Sequence, residues 1–146
     1  MPRFMKMLNN ISRSQATYRH NQIKQKDLMP GHYAFVLAIC HNPGCCQEDL
    51  ALELCINKST VARHLNCLEE KGYITRTTLA SDKRQLSVYP TDKMLAILPE
   101  VKKVSGQWMD LLSEGIPQEE LDIFNSVLLR MQDRAREIIK KQEEIK

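Results

Sequence analysis

A chain of 146 residues is long enough for one domain with a real core, and 42% apolar with 27% charged residues are ordinary globular values. A formal charge of +3 is too mild by itself to argue for a polyanionic partner, so the distribution of charge matters more than its sum. No apolar run approaches bilayer-spanning length and no apolar segment precedes a small-residue cleavage site, so a cytoplasmic protein is expected, with its five cysteines mostly reduced.

Phe4, Leu8, Ile11 and Tyr18 follow helical spacing up to a polar patch over residues 21–27. Pro30 then stands where a first-turn proline belongs, and Tyr33, Val36, Leu37 and Ile39 predict a short buried helix ending before Asn42-Pro43-Gly44. A helix over 48–54, a break at 55–57 and a second helix over 58–71 come next. Asn57 can cap that second helix through its side-chain oxygen, Val61, Leu65 and Leu68 fall on one face, and Arg63, Asn66 and Lys71 fall outside it. Gly72 stops the helix, and two short strands follow with a polar turn containing Asp82-Lys83-Arg84. Thr91 can cap a further helix with the stripe Leu95, Leu98, Val101, Trp108 and Leu112, bent at Pro99. Gly115-Ile116-Pro117 breaks the chain before a last helix carrying Leu121, Phe124, Leu128, Met131, Ala135, Ile138 and Ile145.

Helix, turn, helix and hairpin is the order of a winged helix-turn-helix, a unit that lays its second helix in the DNA major groove. The charges fit this order. Residues 1–26 hold Arg3, Lys6, Arg13, Arg19, Lys24 and Lys26 with no acidic residue, and Lys58, Arg63, Lys71 and Arg76 surround the second helix, opposed by Glu69 and Glu70. A basic run is ordinarily a solvated helix face; its coincidence with a reading helix favours the DNA interpretation. The predicted class is therefore mainly α with a small β-hairpin wing. It is a single domain over 1–146, with the winged lobe at 30–90 and flanking helices at 1–28 and 92–146. The apolar seams of the flanking helices exceed what the lobe needs for its own core, so a second copy is expected to cover them. A larger monomeric core is the alternative.

The segments Glu48-Asp49-Leu50-Ala51, Lys58-Ser59-Thr60-Val61-Ala62-Arg63 and Leu68-Glu69-Glu70-Lys71-Gly72-Tyr73-Ile74-Thr75-Arg76, followed by Asp82-Lys83-Arg84, Val88 and Thr91-Asp92-Lys93, resemble the MarR family of transcriptional regulators over nearly the whole chain. Pro90, Met94 and Met29 depart from the residues usual at their positions, a leucine, a glycine and a capping threonine. The resemblance implies a homodimer with interlocking terminal helices, whose two lobes grip a pseudo-palindromic double-stranded operator. It also implies an effector cavity between the dimer helices and the lobe, where Tyr18, His32, Tyr33, Phe35 and Trp108 suit a flat aromatic or anionic molecule. Core filling is the plainer role for those five, above all for Phe35.

Within that frame Ser59, Thr60, Arg63 and His64 occupy the turns that reach base edges, and Lys58 the place of a phosphate contact. Arg76 is counted with them as a DNA-binding residue. His64 has a second reading as a packing residue. Arg84 either enters the minor groove or pairs with Asp82 to shape the wing, leaving Lys83 at the tip.

Cys40-His41, Cys45-Cys46 and His32 lie near enough in sequence to consider a metal site, yet their spacing matches no standard zinc pattern. Plain positions suit each cysteine: Cys40 at a helix end, Cys45 facing Leu50, Cys46 at a helix cap, and Cys55 and Cys67 as small core residues. Peroxide-sensing relatives carry a reactive cysteine in the first helix, where this chain has none. Cys46 is the best redox candidate, because a helix N-terminus lowers a thiol pKa. No phosphate loop, nucleophile elbow or converging His–carboxylate pair points to catalysis or a cofactor. The expected function is a DNA-binding regulator, a repressor released by a small effector. The alternatives are a redox- or metal-responsive regulator and a winged-helix module for protein assembly.

Overall fold

Two features of the sequence fix most of the helix boundaries: apolar residues recurring every three or four positions, and glycine or proline at the breaks. The computed structural model describes residues 2–79 and 82–145, with the side chains of Pro2, Leu79, Asp82, Lys83 and Arg84 outside the described set. The elements are α1 (Pro2–Gln22), α2 (His32–His41), α3 (Gln47–Leu54), α4 (Lys58–Glu70), β1 (Ile74–Leu79), β2 (Asp82–Pro90), α5 (Asp92–Ser113) and α6 (Gln118–Glu144). They form two compact units, residues 1–108 and 109–146, with α5 running past the division.

The core of the first unit gathers residues from four helices, α2 to α5, with the hairpin and the connecting segments. Ile23, Tyr33, Val36, Ile39, Leu50, Val61, Leu68, Tyr73, Val88, Met94 and Val101 are all fully buried. Removing each such side chain from water contributes roughly 1.5–3 kcal/mol, which seats the polar helices around it. Along α5 the expected stripe is only partly right. Met94, Val101 and Val104 are buried, whereas Leu95 is 46% exposed and Leu112 40%. Taking Leu95 rather than Met94 as the start misjudged which face of α5 turns inward, and a spacing pattern alone cannot say where a partner surface lies.

The start of α2 shows how Met29 serves without a capping hydroxyl. Gly31 is already helical in backbone angles, and His32 N–H bonds to Met29 O at 2.9 Å. The His32 ring turns back so that its Nδ1 accepts the Met29 N–H at 3.1 Å, the role a glutamate or glutamine usually plays three residues into a helix.

β1 and β2 are antiparallel, with Ile74 opposite Pro90, Arg76 opposite Val88 and Thr78 opposite Leu86. Cys45 adds an isolated bridge to Val88, through Val88 N to Cys45 O at 2.8 Å and Gly44 N to Val88 O at 2.8 Å. The backbone of Asp82, Lys83 and Arg84 belongs to β2, not to a turn as the sequence reading expected. A hairpin arm with little to bury does not need apolar alternation, so charged residues can extend the ladder. The register shifts between Thr78 and Leu79, whose partner is Asp82, and residues 83–85 stand out of the regular pairing.

A polar knot ties the α1–α2 connector to the far end of α4. Asp27 Oδ1 accepts the Tyr73 hydroxyl at 2.6 Å and Oδ2 pairs with Lys93 Nζ at 3.1 Å. Lys71 Nζ donates to the Asp27 carbonyl, and Lys93 Nζ also donates to Lys71 O at 2.7 Å. Burial works to raise the Asp27 carboxyl, but the bonds from Tyr73 and Lys93 hold it below its ordinary value. The Thr91 hydroxyl, at the start of α5, donates to Gly72 O at 2.6 Å.

In the second unit, α6 buries none of its residues. Ile123, Phe124, Val127, Met131 and Ile138 are between 39% and 64% exposed, a continuous apolar seam. Among the described residues no helix is long and apolar enough to cross a membrane.

Candidate nucleic-acid interface

α4 owes its position to its two faces and its two ends. Val61, Leu65 and Leu68 are at most 1% exposed, which turns Lys58, Ser59, Arg63, Asn66 and Glu69 to solvent. Asn57 caps the first turn, its Oδ1 accepting the Thr60 N–H at 2.8 Å and the Ser59 hydroxyl at 2.8 Å. Gln47 ties α3 to the same turn by donating to Lys58 O at 3.0 Å. The α3–α4 break turns at Cys55, which adopts a left-handed backbone with φ 53°. Gly72, at φ 79°, ends α4 and hands the chain to the hairpin.

The candidate contacts divide sharply. Lys58, Ser59 and Arg63 are exposed on one side of α4, Thr60 is half-buried, and Arg63 Nη2 lies 3.4 Å from Thr60 Oγ1. His64 faces inward. Its ring packs at 5.0 Å from Phe35 and edge-on to His32 at 5.1 Å, beneath Gly31. Burial, with Arg63 nearby, lowers the His64 pKa and favours its neutral form. Arg76 does not present its guanidinium outward. Nε and Nη2 grip Glu69 at 3.1 and 3.0 Å, and Nη2 also reaches Asn66 Oδ1 at 2.8 Å. The hydrogen bonds to Glu69 raise the Arg76 pKa and lower that of Glu69. Sequence reading grouped Arg76 with the exposed cations because strand register alone does not reveal the helix it faces. For Asp82, Lys83 and Arg84 the side chains lie outside the described residues.

The aromatic candidates also divide. Tyr18 and Trp108 bring their rings to 5.3 Å at a 40° tilt, linking α1 to α5. His32, Tyr33 and Phe35 are 1%, 0% and 2% exposed, so each is a core residue first. Near them the sequence reading missed Arg19, which is 8% exposed, with its guanidinium 5.9 Å from the centre of the Tyr33 ring and its Nε without a hydrogen-bond partner among the described residues. Desolvation lowers the Arg19 pKa. On α5, Ser105 Oγ is likewise buried and unpartnered. A lone arginine within a basic helix gives no sequence sign that it will be buried.

Cys46 needs correction as a redox candidate. It caps α3 as expected, with its N–H donating to Asp49 Oδ2 at 3.0 Å, yet burial and the nearby carboxylate push its thiol pKa up. Burial likewise pushes Cys45 up to about 11, so the helix terminus does not prevail at either thiol. Cys55 is exposed rather than a core residue, because the left-handed turn points it away from the lobe's interior. Among the described residues no three His, Cys, Asp or Glu groups come together in a way that could hold a metal ion.

A capped helix held by its apolar face, with a polar outer face and a hairpin beside it, defines a winged-helix DNA-binding unit. Comparison with known proteins agrees. Residues 28–86 match the MarR family. The chain is 26% identical over 140 residues to the uncharacterized HTH-type transcriptional regulator YybA of Bacillus subtilis (strain 168), covering 94% of this chain and 93% of that one. The crystal structure of the transcriptional regulator SlyA superposes with a TM-score of 0.88 at 26% identity, covering 98% and 99% of the two chains. A MarR-family protein from Listeria monocytogenes, solved with a 26mer DNA, shares the fold at a TM-score of 0.85 and 21% identity, over 91% and 89% of the chains. The MarR match over residues 28–86 and these likenesses make the protein a DNA-binding transcriptional regulator.

Proposed function

We propose that this regulator is a cytoplasmic homodimeric repressor that grips a pseudo-palindromic operator and releases it when a small anionic aromatic molecule binds. The observation that carries the DNA assignment is the outer face of α4, where Lys58, Ser59 and Arg63 stand exposed on a helix fixed at both ends. Ser59, Thr60 and Arg63 read base edges in this scheme, and Lys58 holds a phosphate. The hairpin, through Lys83 and Arg84 with Asp82 shaping it, tracks the flanking groove. That the Listeria protein of the same fold was solved with a 26mer DNA supports duplex DNA as the partner.

The effector assignment is supported by the pairing of Tyr18 with Trp108 and by the unpartnered Arg19 Nε and Ser105 Oγ within the same unit. A buried guanidinium without a full set of partners favours an anion, and a tilted aromatic pair favours a flat ring. Such a ligand switches the protein only if it binds the DNA-incompetent state more tightly than the competent one. Trp108 is the single tryptophan, so its fluorescence reports occupancy directly. Titration with a phenolic or aromatic acid is expected to quench or shift Trp108 emission with the same midpoint as release from a duplex carrying the operator. Release by thiol oxidants or metals, with no response to any aromatic acid, sinks the effector reading.

A further inference from the structure

Strand geometry decides what Arg76 can touch. Side chains on β1 alternate, so Ile74 and Arg76 share one face while Thr75 and Thr77 share the other. Ile74 is 2% exposed, Thr75 and Thr77 are exposed, and Val88, opposite Arg76, is fully buried. The Arg76 face is therefore the one turned toward the lobe's interior, and the guanidinium emerges against α4. There it meets Asn66 and Glu69, which are one helical turn apart and form a ready pair of acceptors. Two bonds to the carboxylate and one to the amide oxygen use the Nε and Nη2 donors, and the Arg76 side chain is only 18% exposed. A lysine, with a single point charge, cannot reproduce this planar bidentate geometry.

The third bond has a chemical consequence. Asn66 is exposed on the outer side of α4, and its Oδ1 already accepts from Arg76. With Oδ1 turned to Arg76, the group left to face outward is NH2, which offers two donors. DNA presents acceptors at every phosphate and on several base edges, so an amide turned this way is matched to it. The charge of Arg76, by contrast, is neutralised by Glu69.

We infer that Arg76 is a positioning residue for DNA recognition rather than a DNA contact: it fixes the hairpin against α4 and orients Asn66 to donate to DNA. The inference rests on the reading of α4 as the DNA-binding helix. The probe is the duplex that the wild-type full-length chain enriches most strongly from a random pool, with binding measured across a range of salt concentrations. Arg76→Ala and Glu69→Gln are each expected to weaken binding roughly threefold or more, and the double variant to bind no worse than the weaker single one. The slope of log affinity against log salt should stay at its wild-type value for Arg76→Ala and fall by about one for Lys58→Ala. Arg76→Lys should fail to restore binding. Asn66→Asp keeps the acceptor for Arg76 but removes the donors, and is expected to weaken binding about tenfold with an unchanged melting temperature.

If Arg76→Ala does not fold, the nearly isosteric Glu69→Gln carries the comparison. Tighter binding by Glu69→Gln, which releases Arg76 toward phosphate, overturns the inference. So does a salt slope lowered by about one in Arg76→Ala, and full affinity in Asn66→Asp removes the donor role. A wild-type chain that enriches no duplex overturns the DNA reading itself, and the role of Arg76 with it.

Discussion

His32 carries a titratable group into the core at the start of α2. Its Nδ1 accepts the Met29 N–H, which a proton on that nitrogen would forbid. Burial lowers its pKa from 6.5 to about 4, with His64 and Lys71 adding to the shift and Asp27 opposing it. Because the folded value lies below the unfolded one, the unfolded chain takes up the proton first. Stability is therefore intact above pH 6.5 and falls as the pH drops from 6.5 toward about 4. By pH 5 the expected loss from this group is about 2 kcal/mol. Gln can accept the same backbone bond without titrating, so His32→Gln is expected to flatten that part of the profile in urea melts at pH 7 and pH 5. An unchanged slope would assign the acid sensitivity to other groups. Arg63 poses the opposite case, an exposed cation whose contact among the described residues is a long one to Thr60. Arg63→Ala is expected to leave the melting temperature alone and weaken operator binding by about 1–3 kcal/mol in a gel-shift titration. Unchanged affinity would remove Arg63 from the interface.

At the scale of elements, α4 is a helix whose orientation matters more than its existence. Its inward face is secured by Val61, Leu65 and Leu68, its first turn by Asn57 and Gln47, and its last by the knot around Asp27. A loss at the first turn should appear in both stability and DNA binding, since Ser59 and Thr60 share that turn. Asn57→Ala removes the acceptor for the Thr60 N–H and is expected to cost about 1 kcal/mol of stability, with Asn57→Ser recovering most of it. Chemical denaturation of the three proteins checks the order. Equal stability of the alanine and serine variants would mean that the cap contributes nothing.

For the whole molecule, the exposed seam of α6 is the feature that a single chain does not satisfy. Phe124 is 49% exposed and Met131 45%, with Leu128 half-buried between them. In the proposed dimer these residues are covered by the second copy, so a carboxylate at position 128 would be buried without a partner. Leu128→Glu is expected to give a monomer or an aggregate by light scattering and to abolish operator binding, since one lobe makes half the contacts. An intact mutant dimer would place the subunit contact elsewhere. The salt dependence of DNA binding by the wild-type protein separates this regulator from an assembly module, whose apolar interface would respond little to salt.

Local signals determined the elements that depend on local physics. Asn57 could be named as a cap, Gly72 as a stop and Val61, Leu65 and Leu68 as one face, because capping, left-handed turns and helical periodicity are set by neighbours within one or two turns. The order of helix, turn, helix and hairpin, and with it the resemblance to the MarR family, followed from those signals. Only the tertiary structure decided the partners of long side chains. It turned Arg76 to Glu69 and Asn66, buried Arg19 over Tyr33, set His64 against His32 and Phe35, and replaced Leu95 by Met94 on the inner face of α5. A flexible arginine can reach acceptors on either side of its strand, and a thiol at a helix start is raised or lowered by whichever of burial and dipole prevails. Both outcomes depend on elements distant in sequence, whose placement no local pattern encodes.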